Sequence, residues 1–413
     1  MTAPKFPLRT RLASTLTKGA AALSRATGRG DGSVIGGRVG QLVDPNLLAN
    51  LAAGRRIALI SGTNGKTTTT RLTAAALGVL GDVATNSLGA NMPHGHMSAL
   101  VKAGATPFAV LEVDEHYLAG VLDKTRAELI ALLNLSRDQL DRAQEVATVA
   151  AKWRTMLQSE AARTAHVVAN ADDPMVTWAA SAASEVTWVA AGQRWLDDSW
   201  VCPECGSRIE RNGEMWACAT GDLVRPLPQW QVKDDGVVDP TGVYHEVHLQ
   251  LPGRVNRANA ATALAVAAHF GAPTLESLPR LSQVTSIAGR YATVVRDNRV
   301  IRLLLSKNPA GWLEAFDMAE DAPTLLAINA RDPDGLDTSW LYDVDFSPVR
   351  GRRVLITGDR AMDLAVRLEV NGVRFEHVSS FAQAVAAVPP GRLEVIANYT
   401  AFQDIRAELD RVN

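Results

Sequence analysis

Seven consecutive residues, Gly62-Thr63-Asn64-Gly65-Lys66-Thr67-Thr68, combine the types needed to hold a phosphate. Two glycines and an asparagine turn the chain sharply, so that backbone N–H groups of the loop and of the following helical turn face one anion. Lys66 adds a full positive charge for β- and γ-phosphate oxygens, and the Thr67 hydroxyl is the expected Mg²⁺ ligand. The usual loop reads G-x-x-x-x-G-K-[ST]; here Ile60 stands where its first glycine would be.

Carboxylates at the ends of apolar runs form a second set. Residues 108–115, Phe-Ala-Val-Leu-Glu-Val-Asp-Glu, read as a buried strand with acids at its carboxyl end. Glu112 and Asp114 alternate, so they point to the same side if the strand persists that far. A second apolar run, 129–133, leads into Asn134, Arg137, Asp138 and Asp141, and a third, 165–169, into Asn170, Asp172 and Asp173. Asn256 and Asn259 are three apart and share a helix face. Lys307 closes the run 303–305, and residues 328–346 crowd acids, Asp337 and Asp343 among them, after another apolar run.

The three cysteines are grouped. Cys202-Pro203-Glu204-Cys205 is a C-x-x-C half-site that bends two thiolates toward one ion. Cys218 offers a third. The fourth would fall at 221, which is glycine, leaving Asp222, His245 and His248 as donors that could complete a zinc site.

These residues need a scaffold of alternating strands and helices. The run 57–60 before the loop is a parallel strand, and 67–80 has helical spacing. Strand–helix alternation continues to about residue 190, predicting a doubly wound, mostly parallel α/β sheet. Residues 196–230 break the rhythm and read as a ribbon-like insertion. Alternation resumes after 291, with strands expected at 300–305, 324–329, 353–357 and 393–397. The organisation is an N-terminal segment 1–50 (a helix, a Gly-rich turn and a short segment), a nucleotide-binding domain 51–290, and a smaller α/β domain 291–413.

At 413 residues and 47% hydrophobic, the chain can fill two or three cores. A formal net charge of −2 argues against nucleic acid as partner. No run approaches the ~20 apolar residues of a membrane span. The basic N-terminal stretch lacks the apolar core of a secretory signal and reads as a solvated first helix, with contact to anionic lipid as the alternative. Three cysteines do not make a disulfide framework, which fits a cytoplasmic enzyme.

Taken in order, Gly62–Thr68, Glu112, Leu-Asn-Leu-x-x-Asp-Gln-Leu-Asp at 133–141 and Asn-Ala-Asp-Asp-Pro at 170–174 resemble the ATPase domain of Mur ligases and folylpolyglutamate synthases. That resemblance implies ATP and Mg²⁺ as cofactors, with Glu112 holding a second Mg²⁺. It also implies Asn134 beside the metal and acyl phosphate, Asp138 and Asp141 framing the site, and an asparagine of the 256/259 pair on the adenine. Arg290, in Ile-Ala-Gly-Arg-Tyr, and Lys307 would reach the phosphates. Mur ligases often carry a carbamylated lysine; near 190–200 the nearest cation is Arg194, so the second metal would rest mainly on Glu112. The interrupting C-P-x-C-G ribbon and the D-G-x-D-x-S-W order at 334–340 are similar to the MurT family, synthetase subunits that work with a GatD-type glutaminase on lipid II. In that family an aspartate of the synthetase completes the glutaminase's Cys–His pair; Asp337 or Asp343 would be its counterpart. The implied reaction is ATP-dependent amidation of the D-glutamate α-carboxyl of the lipid II stem peptide. The rival is a stand-alone Mur or folylpolyglutamate-type ligase that adds an amino acid.

Overall fold

The computed structural model describes residues 6–27, 32–86, 90–137, 145–285, 291–296 and 298–410. The chain divides into two compact units, one of residues 1–135, 146–251 and 255–285, the other of 136–145, 252–254 and 286–413.

The first unit opens with three helices, α1 (Leu8–Ala26), α2 (Ser33–Val43) and α3 (Leu47–Ala52). The sequence suggests a glycine-rich turn around residues 36 and 37, yet both lie inside α2. The reason is close packing. A Cβ at Gly37 would meet the His94 carbonyl at 2.0 Å, and one at Gly40 would meet Thr17 Oγ1 at 2.2 Å. The glycines let α2 approach its neighbours, which outweighs their poor helix propensity of ~1 kcal/mol each.

A strand β1 (Arg56–Ser61) then feeds helix α4 (Lys66–Leu77). There follow β2 (Val83–Thr85), α5 (Pro93–Ala103), β3 (Phe108–Glu112), α6 (Leu118–Thr125), β4 (Leu129–Leu132), α7 (Val146–Leu157), β5 (His166–Asn170), α8 (Pro174–Ala180) and β6 (Val186–Ala190). A two-stranded ribbon, β7 (Ile209–Asn212) with β8 (Met215–Cys218), interrupts this series. Three short strands, β9 (Trp230–Lys233), β10 (Gly236–Val238) and β11 (Tyr244–Glu246), and helices α9 (Arg254–His269) and α10 (Thr274–Leu281) complete it. Nine strands form one sheet in the order β11-β10-β9-β6-β5-β4-β1-β3-β2. It is parallel from β2 to β9 and antiparallel only at the β9–β10–β11 edge.

Alternate residues of each strand feed two cores. Ile57 and Leu59 of β1 join Leu111, Ile130, Met97 and Trp153 on one face, while Ala58 and Ile60 join Val110, Leu72, Leu77 and Leu264 on the other. Burial on both faces is why these strands read as continuous apolar runs. Helix α4 stops at Leu77 rather than running to 80; Gly78 forms its C-cap and Leu80 is exposed.

The second unit is a six-stranded sheet, β12 (Tyr291–Arg296), β13 (Arg299–Leu305), β14 (Thr324–Ala327), β15 (Val354–Thr357), β16 (Phe375–His377) and β17 (Gly391–Ala397). Its order is β12-β13-β17-β14-β15-β16, with only β12 antiparallel. Helices α11 (Pro309–Met318), α12 (Ala361–Val370), α13 (Phe381–Ala387) and α14 (Tyr399–Asp410) cover it. Trp312, Phe316, Trp340 and Phe346 pack as one aromatic cluster against the sheet. The edge strands β12 and β16 are not evident in the sequence: one is half-exposed along its length, the other three residues long.

Candidate active site

β1 lies between β3 and β4, so the loop after it opens at the carboxyl end of the sheet where the strand order reverses. Open parallel sheets bind ligands in that crevice. Gly62 has φ +145° and Gly65 φ +85°, both in the region that favours glycine. A Cβ on Gly62 would meet Leu133 Cβ at 2.8 Å, and one on Gly65 would meet Asn259 Oδ1 at 2.6 Å. Gly65 is the N-cap of α4, so Lys66, Thr67 and Thr68 form its first turn, all buried.

The loop is held from below by asparagines. Asn64 N–H donates to Asn134 Oδ1 at 2.9 Å, Asn134 Nδ2 donates to the Asn64 carbonyl at 3.0 Å, and Thr63 N–H donates to the Asn134 carbonyl at 2.9 Å. In this geometry Asn134 fixes the loop backbone. Asn259 accepts from Thr69 Oγ1 at 3.2 Å and donates to Asn256 Oδ1 at 3.3 Å. The pair on one face of α9 thus sits under the loop, against Gly65.

Lys66 is 3% exposed. Its ammonium donates to the Gly62 carbonyl at 2.5 Å, to the Thr63 carbonyl at 3.2 Å and to Glu115 Oε2 at 3.0 Å. Glu115 is a partner that the sequence reading did not single out. The reading placed Glu112 and Asp114 on one side of a continuing strand, but β3 ends at Glu112. Beyond it the chain turns: Asp114 Oδ1 accepts the His116 N–H at 3.0 Å, and Glu115 is the acid that meets Lys66.

Glu112 is fixed through its backbone. Its N–H donates to Asn86 Oδ1 at 2.8 Å, and its carbonyl accepts from Asn86 Nδ2 at 2.8 Å and from His96 Nε2 at 2.7 Å. Burial lowers the His96 pKa to about 4, so the ring is neutral with its proton on Nε2. The carboxylate oxygen Glu112 Oε2 is buried and has no hydrogen-bond partner among the described residues. An unsatisfied buried carboxylate oxygen is costly unless a cation meets it. A buried lysine, a helix N-terminus lined with hydroxyls and that oxygen fit a magnesium–nucleotide, with Thr67 and Glu112 as the groups to hold the metal.

The 170–174 motif joins the sheet to the ribbon. Asp173 caps α8, accepting from Met175 N–H and Val176 N–H, and also holds Leu135 N–H at 2.9 Å. Burial nevertheless raises its pKa to about 6. Asp172 meets Arg225 Nε of the ribbon at 2.6 Å, and Trp216 Nε1 donates to the Ala171 carbonyl. In the ribbon the sulfurs of Cys202, Cys205 and Cys218 lie within 4.8 Å of one another, close enough for one ion. The Ser207 hydroxyl, and Thr220 after it, beside the sulfur lower the Cys218 pKa to about 5. Gly221, the fourth position, offers no donor. His245 is occupied with Asp239 and His248 with Glu246, while Asp222 accepts from Thr220 Oγ1 at 2.6 Å. The donor set fits three of zinc's four positions, and the Ser207 and Thr220 hydroxyl oxygens lie 3.1 and 2.8 Å from Cys218 Sγ.

In the second unit Lys307 follows β13, next to Asn308, whose Oδ1 caps α11 by accepting the Gly311 N–H. Asp343 Oδ2 is 2.8 Å from Arg137 Nη1. Asp337 is exposed; it accepts the Ser339 N–H at 2.8 Å, which holds its carboxyl below the usual range. Asp138, Asp141 and Arg290 lie outside the described residues.

Comparison with known proteins agrees with this arrangement. The Mur ligase middle domain matches residues 60–202, and the MurT ligase C-terminal domain matches residues 305–402. The chain is 28% identical to the lipid II isoglutaminyl synthase (glutamine-hydrolyzing) subunit MurT of Streptococcus pneumoniae, over 91% of this chain and 92% of that one. It is 27% identical to the MurT subunit of Staphylococcus aureus, over 96% and 97%. Among solved structures, a pseudomurein peptide ligase type C from Methanothermus fervidus superposes with a TM-score of 0.66 at 16% identity, covering 87% of this chain and 79% of that one. The middle-domain match takes in the phosphate loop, Glu112 and the 170–174 turn, and the C-terminal match runs from the end of β13 into α14. On these grounds the chain carries a Mur ligase middle domain and a MurT ligase C-terminal domain, and over nearly its whole length it is similar to MurT subunits of lipid II isoglutaminyl synthase.

Proposed function

We propose that the chain is the synthetase subunit of a lipid II isoglutaminyl synthase, amidating the D-glutamate α-carboxyl of the stem peptide with ammonia from a GatD-type glutaminase. The observation that carries this reading is the occurrence, in one chain, of a lysine-bearing phosphate loop and a MurT-type C-terminal region. The full-length likeness to proteins named as glutamine-hydrolysing synthase subunits supports it.

ATP, bound with Mg²⁺, supplies the phosphoryl group that converts the carboxylate to an acyl phosphate; ammonia then displaces phosphate, leaving the amide. The chain's own residues prepare that chemistry. The N-terminal turn of α4 presents N–H groups and the Thr67 hydroxyl to the phosphates. Lys66 exchanges the Glu115 carboxylate for a phosphate oxygen. Asn134 and Asn259 keep the loop in its binding shape, so little reorganisation accompanies the transfer. Asn86 and His96 keep Glu112 aimed at the metal position.

Asp337 is the aspartate that completes the glutaminase's Cys–His pair: it is exposed on its loop, whereas Asp343 is engaged by Arg137. The three cysteines all lie in the ribbon, clustered with one another. The test is nitrogen-donor use with lipid II. The chain alone should form the amide from ammonium and not from glutamine, and glutamine use should appear when the glutaminase is added. Incorporation of an amino acid instead would establish the stand-alone ligase.

A further inference from the structure

Helices α1 and α2 carry Arg9, Arg11, Lys18, Arg25 and Arg38 and no acidic residue, in a chain whose net charge is −2. All five cations are exposed. The same helices expose their large apolar residues. Leu8, Leu12 and Leu16 recur every four residues along α1, and Leu23 falls on the same side two turns on. Leu8 is 84% exposed, and on α2 Val34, Ile35 and Leu42 are exposed, Leu42 at 83%.

What these helices bury is small. On α1 it is Thr10, Ala13, Thr17, Ala21 and Ser24, and on α2 it is Gly36, Gly37 and Gly40. A helix packed on a water-soluble core normally turns its leucines inward and its polar residues outward. Here small residues face the protein and leucines face away, interleaved with basic side chains. Single exposed leucines are ordinary. Seven large apolar residues on two packed helices, with five cations and no anion, make a patch that calls for an apolar and negatively charged neighbour.

We propose that α1 and α2 form the face by which this chain lies on a bilayer containing anionic phospholipid. The leucines enter the boundary between headgroups and acyl chains, and the arginine and lysine heads extend to lipid phosphates. Charge complementarity selects this occupant: a patch of one sign beside exposed leucine matches a leaflet with negative headgroups above hydrocarbon. Residues Thr17, Lys18 and Ala21 of α1 also line a cavity of about 780 Å³, shared with Arg25, Lys102 and Asn86. Asn86 is the side chain that clamps Glu112. Docking by α1 therefore sets a cation-rimmed cavity between the bilayer and the candidate active site.

The inference rests on charge and exposure and not on the proposed reaction. Its test is co-sedimentation of the full chain with vesicles of phosphatidylglycerol and phosphatidylcholine, against phosphatidylcholine alone. The parent should bind the anionic vesicles, less so as salt rises. Leu12→Glu with Leu16→Glu, and separately Arg11→Glu with Arg38→Glu, should each lower vesicle partitioning by about tenfold or more. Both variants alter exposed side chains, so their melting curves should match the parent's, as should their ammonium-dependent amidation of a water-soluble stem-peptide substrate. Absence of parental binding to anionic vesicles, or undiminished binding by the leucine variant, overturns the proposal. So does loss of vesicle binding when the glutaminase is added, which would make this face a protein interface. Turnover of the soluble substrate reads the reaction and sedimentation reads the surface, so one can fail without the other.

Discussion

Lys66 Nζ and Glu115 Oε2 lie 3.0 Å apart, with their side chains 4% and 10% exposed. A buried ammonium in a phosphate loop needs a counter-charge before the nucleotide arrives, and Glu115 supplies it together with the Gly62 and Thr63 carbonyls. In the proposed reaction that carboxylate stands in for a phosphate oxygen.

Glu115→Gln tests that exchange. Removing one partner of a buried pair costs about 3 kcal/mol in the nucleotide-free protein, because the other charge is left uncompensated. With ATP·Mg²⁺ bound, the phosphate restores the counter-charge and the deficit should shrink. The thermal shift produced by nucleotide should therefore be larger in Glu115→Gln than in the parent. Equal shifts would mean that Glu115 and phosphate do not compete for Lys66. Lys66→Ala, by contrast, should fold and lose at least about a thousandfold in kcat, as expected when the cation on the transferring phosphoryl group is removed.

His96 gives a pH dependence of definite sign. Its folded pKa of about 4 is below the ordinary imidazole value of 6.5. A histidine kept neutral by burial contributes stability that is whole above pH 6.5 and is lost as pH falls from 6.5 toward 4, about 3 kcal/mol in all. Asp173 acts oppositely, since its raised pKa of about 6 favours the folded state as pH falls from 6 toward 4. The two overlap, so the histidine contribution must be read by difference. Urea midpoints at pH 7.5 and 5 should drop less in His96→Gln, whose amide can still donate to the Glu112 carbonyl. A slope identical to the parent's would remove His96 from the account.

The ribbon predicts weak metal binding. Three thiols converge, but Gly221 supplies no donor where a structural zinc site has its fourth ligand. Protein purified with zinc should give the ion up completely to excess EDTA. The ribbon should stay folded, because Trp216 and Arg225 tie it to the 171–172 turn independently of any metal. Zinc that survives excess chelator at one ion per chain would show that a fourth ligand, Asp222 or another, does close the site.

Much of the candidate site was legible because its strands are buried on both faces. Continuous apolar runs mark β1, β3, β4 and β5, and chemistry gathers where each run stops. What escaped depends on where a strand ends and on what packs in three dimensions. Hydropathy does not say that β3 stops at Glu112, so Asp114 shares the side of Glu112 only if the strand continues, and Glu115, one residue later, carries no signal of its own. His96 sits alone in α5 with no spacing partner, and its role comes only from meeting the Glu112 carbonyl. The glycines of α2 look like a turn in sequence because their helix is imposed by close contact with Thr17 and His94.

The last prediction separates the two aspartates after β14. Asp343 is paired with Arg137, with both side chains about one-third exposed, so solvent screening leaves that pair worth ~0–1 kcal/mol. Asp337 is exposed, ionised, and oriented by the Ser339 N–H, with no opposite charge paired to it among the described residues. A carboxylate that must orient a partner's imidazole needs exposure and freedom from an internal cation. In the complex with the glutaminase, Asp337→Asn should therefore lower glutamine-dependent amidation by at least about a hundredfold while ammonium-dependent amidation is unchanged. Asp343→Asn should alter both activities alike, and only slightly. Should Asp343→Asn selectively abolish glutamine use while Asp337→Asn retains it, the assignment passes to Asp343, and the Arg137 pair must open when the glutaminase docks.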